Sequence, residues 1–597
     1  MSLLSDIWRI LTPRQRRRVV FAQLLSLLMA LSTVTGIASI APFFAVLGNP
    51  HSIERYGYLH WLYLHSGLLH ERSFAVLLGL AFMSLVLVSN LINMLGSFAI
   101  VRLAASIGAD LQSELFAEYL ARPYVFHART HSAVLFNNII HETSRVTNDV
   151  LQNMFAVVTN LATGSLIIVC IMLLNPTVAA AMIVVLAGGY VLIYLVVRNR
   201  LVRAGQVQSH HFTEQTRVVN ESLAAIKEIQ VLRIQDFFRA AFQRSSVAYA
   251  RSAANTYLIA QSPKYVMECV AVVGLAVVAL IGSGRDGGIG PWLGQLTFLG
   301  FAAYRLLPAL QQVFAAIVRI RAGRSGFAIV VPHLQVARNR PAAAVRTESS
   351  WRGFPNRLIE LKEVGFRYVK DRTAAIDNLS IRIPARAAVG LIGPNGSGKT
   401  TIVDLVAGLL VPDTGQVVVD DAALNDANRA AWQSCIAYVP QNVFLLDTTI
   451  AENIALGVPA DAIDRERLHE AARLARLDEM IATLPGHFQH RVGERGVKLS
   501  GGQRQRIGIA RALYTQASVL ILDEATNALD GLTEQELMAT LLQLRGRYTI
   551  IVIAHHLNMV RACDLIFELH GGKITSSGTY SELLGSSDTF RRLADVP

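Results

Sequence analysis

Eight consecutive residues, Gly393-Pro394-Asn395-Gly396-Ser397-Gly398-Lys399-Thr400, have the spacing GxxxxGK[ST] and could enclose a phosphate chain. The glycines let the backbone turn its N–H groups inward at the start of a helix, where the helix dipole also favours negative charge. Lys399 has the reach for β- and γ-phosphates, and Thr400 offers a hydroxyl to Mg²⁺. The flanks agree. Ala388-Val389-Gly390-Leu391-Ile392 predicts a buried strand, and residues 401–410 predict a helix opening at Thr401. A loop of this kind points to a nucleoside triphosphate.

Two further runs could act on the same ligand. Val519-Leu520-Ile521-Leu522 predicts a strand that ends in Asp523 and Glu524. Asp523 suits Mg²⁺, and Glu524 suits orienting an attacking water or taking its proton. A lone Asp-Glu pair would equally be an ordinary strand end. Ser500-Gly501-Gly502-Gln503 precedes a helix predicted from near Arg504, which makes it a second anion-binding helix N-terminus. Alone, that run reads as a turn.

In this order, the three runs resemble the ATPase domain of ABC transporters over residues 357–597, and residues 1–330 resemble the transmembrane domain of bacterial ABC exporters. The resemblance implies an all-α six-helix transmembrane domain followed by an α/β P-loop NTPase domain, ATP and Mg²⁺ as cofactors, and ATP hydrolysis coupled to transport. It implies that Tyr368 stacks on adenine, that Gln441 meets Mg²⁺ or water, and that His555 contacts the γ-phosphate. Asp530 matches a loop that crosses a dimer interface, and Val492-Gly493-Glu494-Arg495-Gly496 resembles a loop that touches a cytoplasmic elbow. His556 stands where the family usually has arginine, and Asn527 where it has serine or threonine; neither removes a group that hydrolysis needs. The family's sites are sandwiched between the phosphate loop of one subunit and the Ser-Gly-Gly-Gln run of another. One intact copy of each therefore implies a second copy of the same chain, a homodimer.

Such a site needs a soluble α/β scaffold, and the bulk composition says that much of the chain is something else. Of 597 residues, 52% are hydrophobic and 16% charged, against about 25% charged in an ordinary soluble domain. Apolar segments long enough to cross a bilayer recur near 19–48, 73–104, 150–174, 176–198, 253–283 and 292–318. The third and fourth are separated by Asn175-Pro176-Thr177, a tight hairpin. Arg9, Arg14, Arg16, Arg17 and Arg18 precede the first span, and Arg198, Arg200 and Arg203 follow the fourth. By the positive-inside bias both ends and the ATPase domain are cytoplasmic, and the exporter resemblance implies a multi-pass protein of the bacterial inner membrane. The net charge of +12 then reflects basic loops at lipid headgroups and not a nucleic-acid surface. Polar stretches between spans two and three, and four and five, predict cytoplasmic helical extensions with elbows near 124–136 and 221–230. Residues 52–69 are rich in aromatics and read either as an interfacial helix or as a collapsed loop. A linker is expected over 331–356. Cys170, Cys269, Cys435 and Cys563 are scattered and suggest neither a disulfide framework nor a zinc site.

Charge inside the spans marks where cargo could bind, because burying it in lipid is costly. Lys264 and Glu268 lie one helical turn apart and could neutralise each other, whereas Arg305 has no such neighbour in sequence and suits an anionic substrate. Thr35-Gly36-Ile37-Ala38-Ser39-Ile40-Ala41-Pro42-Phe43 and Tyr304-Arg305-Leu306-Leu307-Pro308 are similar to segments of the lipid-linked oligosaccharide flippases of bacterial protein N-glycosylation. That resemblance implies a polyprenyl-pyrophosphate glycan as substrate, moved from inner to outer leaflet. The alternatives are a multidrug, lipid or peptide exporter on the same scaffold, or, in another class, a soluble ABC ATPase acting on nucleic acid, which six spans disfavour.

Overall fold

The computed structural model describes residues 8–9, 11–48, 52–68, 70–174, 176, 180, 183–283, 289–339, 355–368, 374–525, 531–554 and 557–594, with a few side chains within these ranges excepted. The chain divides into two units, Met1–Arg122 with Arg129–Pro341, and Pro123–Ala128 with Ala342–Pro597.

The first unit is helical. Helix α1 (Pro13–Ala38) is opened by Thr12, whose hydroxyl accepts from the Gln15 N–H while the Gln15 side chain accepts from the Thr12 N–H. Such a reciprocal cap, with Pro13 at the first position, fixes where the helix starts. Helix α2 (Glu71–Leu120) has 50 residues, about 75 Å at 1.5 Å per residue. That is more than twice the roughly 30 Å of a hydrocarbon core, so the helix extends well past the membrane. Helices α3 (Gln152–Leu174), α4 (Gly188–Ala224), α5 (Gln235–Ser283) and α6 (Ile289–Asn339) complete the bundle. Four stretches are long and apolar enough to span a membrane among the described residues: Pro13–Phe44, Glu71–Leu120, Ser132–Met172 and Ile183–Ala224. The fifth and sixth expected spans fall on α5 and α6, whose side chains over 278–299 lie outside the described residues. So does most of the expected hairpin at 175–177.

Leucines on the bundle's flank, such as Leu24, Leu87 and Leu192, stand well over half exposed, as a lipid-facing surface requires. Short helices at Tyr124–Arg129, Ser132–Phe136 and Ile226–Leu232 occupy the predicted elbows. The aromatic stretch after the first span is helical over Ser52–Arg55 and Gly57–Ser66, with Leu59 fully buried beside Val46, Ile53 and Phe74. The linker begins later than residue 331. Buried Val330 and Leu334 keep α6 packed, and the helix runs through Pro332 to Asn339.

Ahead of α3 the backbone widens into π-helix at Asn137–Glu142 and again at Val146–Leu151. Between them Arg145, buried, donates to Glu142 at 3.0 Å, to the carbonyls of Gly205 at 3.3 Å and Ala322 at 2.7 Å, and to Ser325 Oγ at 3.2 Å. One guanidinium thus ties three helices. Close approach depends on glycine: a Cβ on Gly205 would run into the Ala322 carbonyl, and one on Gly326 into the fully buried Glu142.

The second unit is α/β. A four-stranded antiparallel sheet, in the order β2 (Ile376–Pro384), β1 (Leu358–Phe366), β4 (Thr414–Val419), β5 (Ala422–Ala423), adjoins a six-stranded sheet. The larger sheet runs β10 (Lys573–Gly578), β9 (Leu565–His570), β3 (Ala388–Ile392), β8 (Thr549–Ile553), β7 (Val519–Asp523), β6 (Ile436–Val439). All of its pairings are parallel except β10 with β9. Strands β3, β7 and β8 are buried at every position, as the unbroken apolar runs predict for a sheet covered on both faces. Trp432, fully buried, donates its indole N–H to the Val406 carbonyl at 2.7 Å.

Candidate functional site

Open parallel sheets bind ligands outside the C-terminal ends of their strands, and the residues read from the sequence gather there. β3 ends at Ile392, the loop follows, and helix α7 (Lys399–Val406) begins at Lys399. Gly393 (φ 145°) and Gly398 (φ 103°) hold backbone conformations open to glycine, and a Cβ on Gly393 would strike the Leu569 carbonyl. Lys399 Nζ donates to the carbonyls of Gly393 at 2.7 Å and Pro394 at 3.1 Å, so the loop is closed on its own lysine. Burial pushes the Lys399 ammonium down from its usual range, while Glu524 and Asp523 oppose that shift. Pro394, Asn395, Gly396 and Thr400 lie at the surface of the loop. Buried Ser397 Oγ and the N–H groups of the α7 N-terminus are placed for an anion, and Ser397 Oγ has no hydrogen-bond partner among the described residues.

Opposite the loop, β7 delivers the two carboxylates. Asp523 is buried and accepts from Tyr438 OH, on β6, at 2.8 Å. Glu524 leaves the strand in a left-handed conformation (φ 48°), which turns its carboxylate away from the sheet and towards Gln441, whose Nε2 donates to Oε2 at 2.5 Å. Asp404, buried on α7, has its carboxyl pushed up to about 6, first by burial and then by the neighbouring Asp523. Tyr438 is raised by the same two influences in the same order. Buried Asp523, whose charge helps to push up the neighbouring Asp404, makes a local concentration of negative charge that a divalent cation would relieve. Mg²⁺ fits this set, since it is usually held by one or two carboxylates plus phosphate oxygens; Asp523, Thr400 and Gln441 would hold it.

Tyr368 follows β1 and reaches Thr401, with the two hydroxyl oxygens 3.3 Å apart and its ring edge-on to Phe366 at 5.0 Å. Helix α8 (Gly501–Tyr514) starts three residues earlier than its sequence suggests, because Ser500 and Gln503 cap it reciprocally, at 3.2 and 2.8 Å. Gly501 and Gly502 stand half-exposed at that N-terminus, and no acidic residue occupies its first turn. One and a half turns on, Gln505 Nε2 donates to the carbonyls of Gln441 and Glu524, both at 3.4 Å, joining this helix to the carboxylate strand. His555 and Asp530 lie outside the described residues, as do His556 and Asn527. Asp404 and Gln505 were not singled out by sequence; the aspartate sits one turn into the helix behind the lysine, which was its only signal.

An ABC transporter family matches residues 376–527, and an ABC transporter transmembrane region matches residues 19–309. An ATP-dependent lipid A-core flippase of Ralstonia nicotianae is 30% identical over 522 residues, covering 84% of this chain and 86% of that protein. This chain belongs to the ABC transporter family. Flippases of the same description from Bordetella avium (29% identity, 87% of this chain and 86% of theirs) and Methylococcus capsulatus (29%, 97% and 94%) align comparably. A bacterial Atm1-family ABC exporter with ATP bound shares the fold, with a TM-score of 0.78 at 24% identity over 97% of each chain. The chain is accordingly a half-transporter of a bacterial membrane, with one transmembrane and one ATPase domain, and it couples ATP hydrolysis to transport as part of a dimer.

The transmembrane unit has its own candidate site, a cavity of about 530 Å³ bounded by α1, α2, α3 and α6. Lys264 is elsewhere and pairs with Glu268 at 3.7 Å, both near half exposure. Arg305 lies on α6, with its side chain outside the described residues.

Proposed function

We propose that two copies of this chain form a homodimer in the inner membrane, ATPase domains in the cytoplasm, and flip a lipid-linked oligosaccharide from inner to outer leaflet. Gly36 and Ile37 of one flippase-like segment and Tyr304 and Pro308 of the other border the same cavity, and this observation carries the substrate assignment. Polyprenyl pyrophosphate bearing a glycan is the substrate class, with Arg305 the candidate partner of its phosphates and Lys264 a lesser one. Lipid A-core is the second reading, favoured by the relatives above; both are phosphorylated glycolipids.

The ATP site works as follows. Lys399, Ser397 and the loop N–H groups hold the phosphates, and Tyr368 stacks on adenine. Asp523, Thr400 and Gln441 would hold Mg²⁺, which would supply charge neutralisation at the phosphates. Glu524, with Gln441 against its carboxylate, takes the proton of the attacking water, and His555 contacts the γ-phosphate. Ser500, Gly501, Gly502 and Gln503 of one subunit close over the nucleotide of the other, beside Asp530. In proteoliposomes, ATP should expose glycan to an external lectin when undecaprenyl-pyrophosphate oligosaccharide is supplied. No exposure under hydrolysing conditions would remove this substrate, and exposure of lipid A-core alone would select the second reading.

A further inference from the structure

The cavity wall is polar without being charged. Thr33, Ser89, Asn90, Asn93, Thr159 and Asn160 line it, and no Asp, Glu, Lys, Arg or His is among the described residues that do. Each asparagine commits its amide N–H to its own helix: Asn90 Nδ2 donates to the Val86 carbonyl at 2.8 Å, Asn93 Nδ2 to the Ser89 carbonyl at 2.9 Å, and Asn160 Nδ2 to the Ala156 carbonyl at 2.8 Å. Asn93 also donates to Thr33 Oγ1 at 2.9 Å. Thr33 and Thr159 spend their hydroxyl hydrogens in the same way, on Met29 and Phe155 carbonyls. These bonds fix which amide atom is oxygen, and they leave the three amide oxygens without a donor among the described residues. The wall therefore presents these three acceptors, together with hydroxyl and amide donors on Ser89, Ser97, Gln152 and Gln312, to whatever enters.

Three kinds of headgroup could answer. A phosphate would find donors, but its desolvated negative charge would find no Lys, Arg or His among the described lining residues to offset it. A cation brings donors, but a desolvated positive charge here would find no carboxylate among the described lining residues to offset it. A neutral sugar brings many hydroxyl donors and no charge. Resting on the glycolipid reading above, we propose that this cavity binds the neutral glycan of the substrate through the amide oxygens of Asn90, Asn93 and Asn160, while the phosphates bind elsewhere.

The test compares the intact homodimer with Asn90→Leu/Asn160→Leu and with Asn90→Gln/Asn160→Gln in nanodiscs. ATPase stimulation is titrated with undecaprenyl pyrophosphate bearing a neutral oligosaccharide, with bare undecaprenyl pyrophosphate, and with tetraphenylphosphonium. Two lost hydrogen bonds predict that the leucine pair needs about tenfold or more glycolipid for half-maximal stimulation. The response to the bare carrier should be unchanged, and the glutamine pair should recover part of the loss. Equal loss for glycosylated and bare carrier, unaltered glycolipid response in the leucine pair, or selective loss of a tetraphenylphosphonium response would each overturn the proposal. Stimulation by glycolipid that ignores the asparagines sinks the cavity assignment alone, whereas no stimulation of the unmodified protein by either lipid sinks the glycolipid reading on which it rests.

Discussion

Asp404 is a buried carboxyl that no hydrolysis step uses, and its replacement gives a prediction with a definite size. Its folded value of about 6, against an ordinary 3.8, means that folding disfavours its charged form. A raised carboxyl costs nothing below the unfolded value, costs progressively more as pH climbs through the interval, and costs the full amount above the folded value. At about 1.4 kcal/mol per tenfold change in proton affinity, the charged aspartate costs the ATPase unit up to about 3 kcal/mol at pH 7.5 and about half that near pH 5. Asp404→Asn keeps the shape and removes the charge, so it should stabilise the unit by those amounts. In a domain of this size, about 3 kcal/mol corresponds to a melting shift of about 6–12 °C. Trp432 is a suitable reporter, since its indole is fully buried and bonded to Val406, two residues from Asp404 on the same helix. Tryptophan emission of nucleotide-free protein, followed during heating at both pH values, reads the difference. An equal shift at pH 7.5 and pH 5, or a destabilisation at pH 7.5, would show that the charge on Asp404 does not oppose folding.

Three other perturbations have expected outcomes. Glu524→Gln should retain ATP binding by filter assay and lower turnover by about 10²- to 10⁴-fold, the range for losing a general base; turnover near the unmodified rate would assign the proton to another group. Gly393→Ala should weaken nucleotide binding measured by calorimetry, because its φ of 145° and the Leu569 carbonyl leave no room for a methyl group, and an unchanged affinity would show that the loop shifts freely. Arg145→Ala strands buried Glu142 and should cost the transmembrane unit about 3–5 kcal/mol, whereas Arg145→Ala with Glu142→Gln should recover much of it in a melting assay.

The ATPase half was legible because each motif is local. The loop glycines, Lys399 and Thr400 need eight adjacent positions, and the apolar runs at 388–392 and 519–522 announce the strands that hold them. The pairing of Tyr438 with Asp523 was hidden, for it joins residues 85 apart whose meeting depends on β6 lying beside β7. Spans were legible from length and hydropathy, but their packing was not. Arg145 reads in sequence as one more polar residue near a membrane end, and only the approach of Gly205 and Ala322 makes it a three-helix clamp. The π-helical turns around it follow from that packing, since nothing in Asn137–Glu142 breaks a helix by composition. The cavity was half visible. Its two flippase-like segments were read, yet Asn90, Asn93 and Asn160 entered only when the helices came together.

In the proposed homodimer each ATP is enclosed by the phosphate loop of one subunit and the Ser500 helix of the other. Mixed dimers test it most directly, pairing a Lys399→Ala chain with a differently tagged Ser500→Arg chain and purifying through both tags. Each homodimer should fail to occlude ATP, while the mixed dimer should regain one intact composite site and occlude one ATP with Mg²⁺. A mixed dimer as inert as its parents, or a Ser500→Arg homodimer that occludes ATP normally, would show that the two elements do not share one nucleotide across the interface.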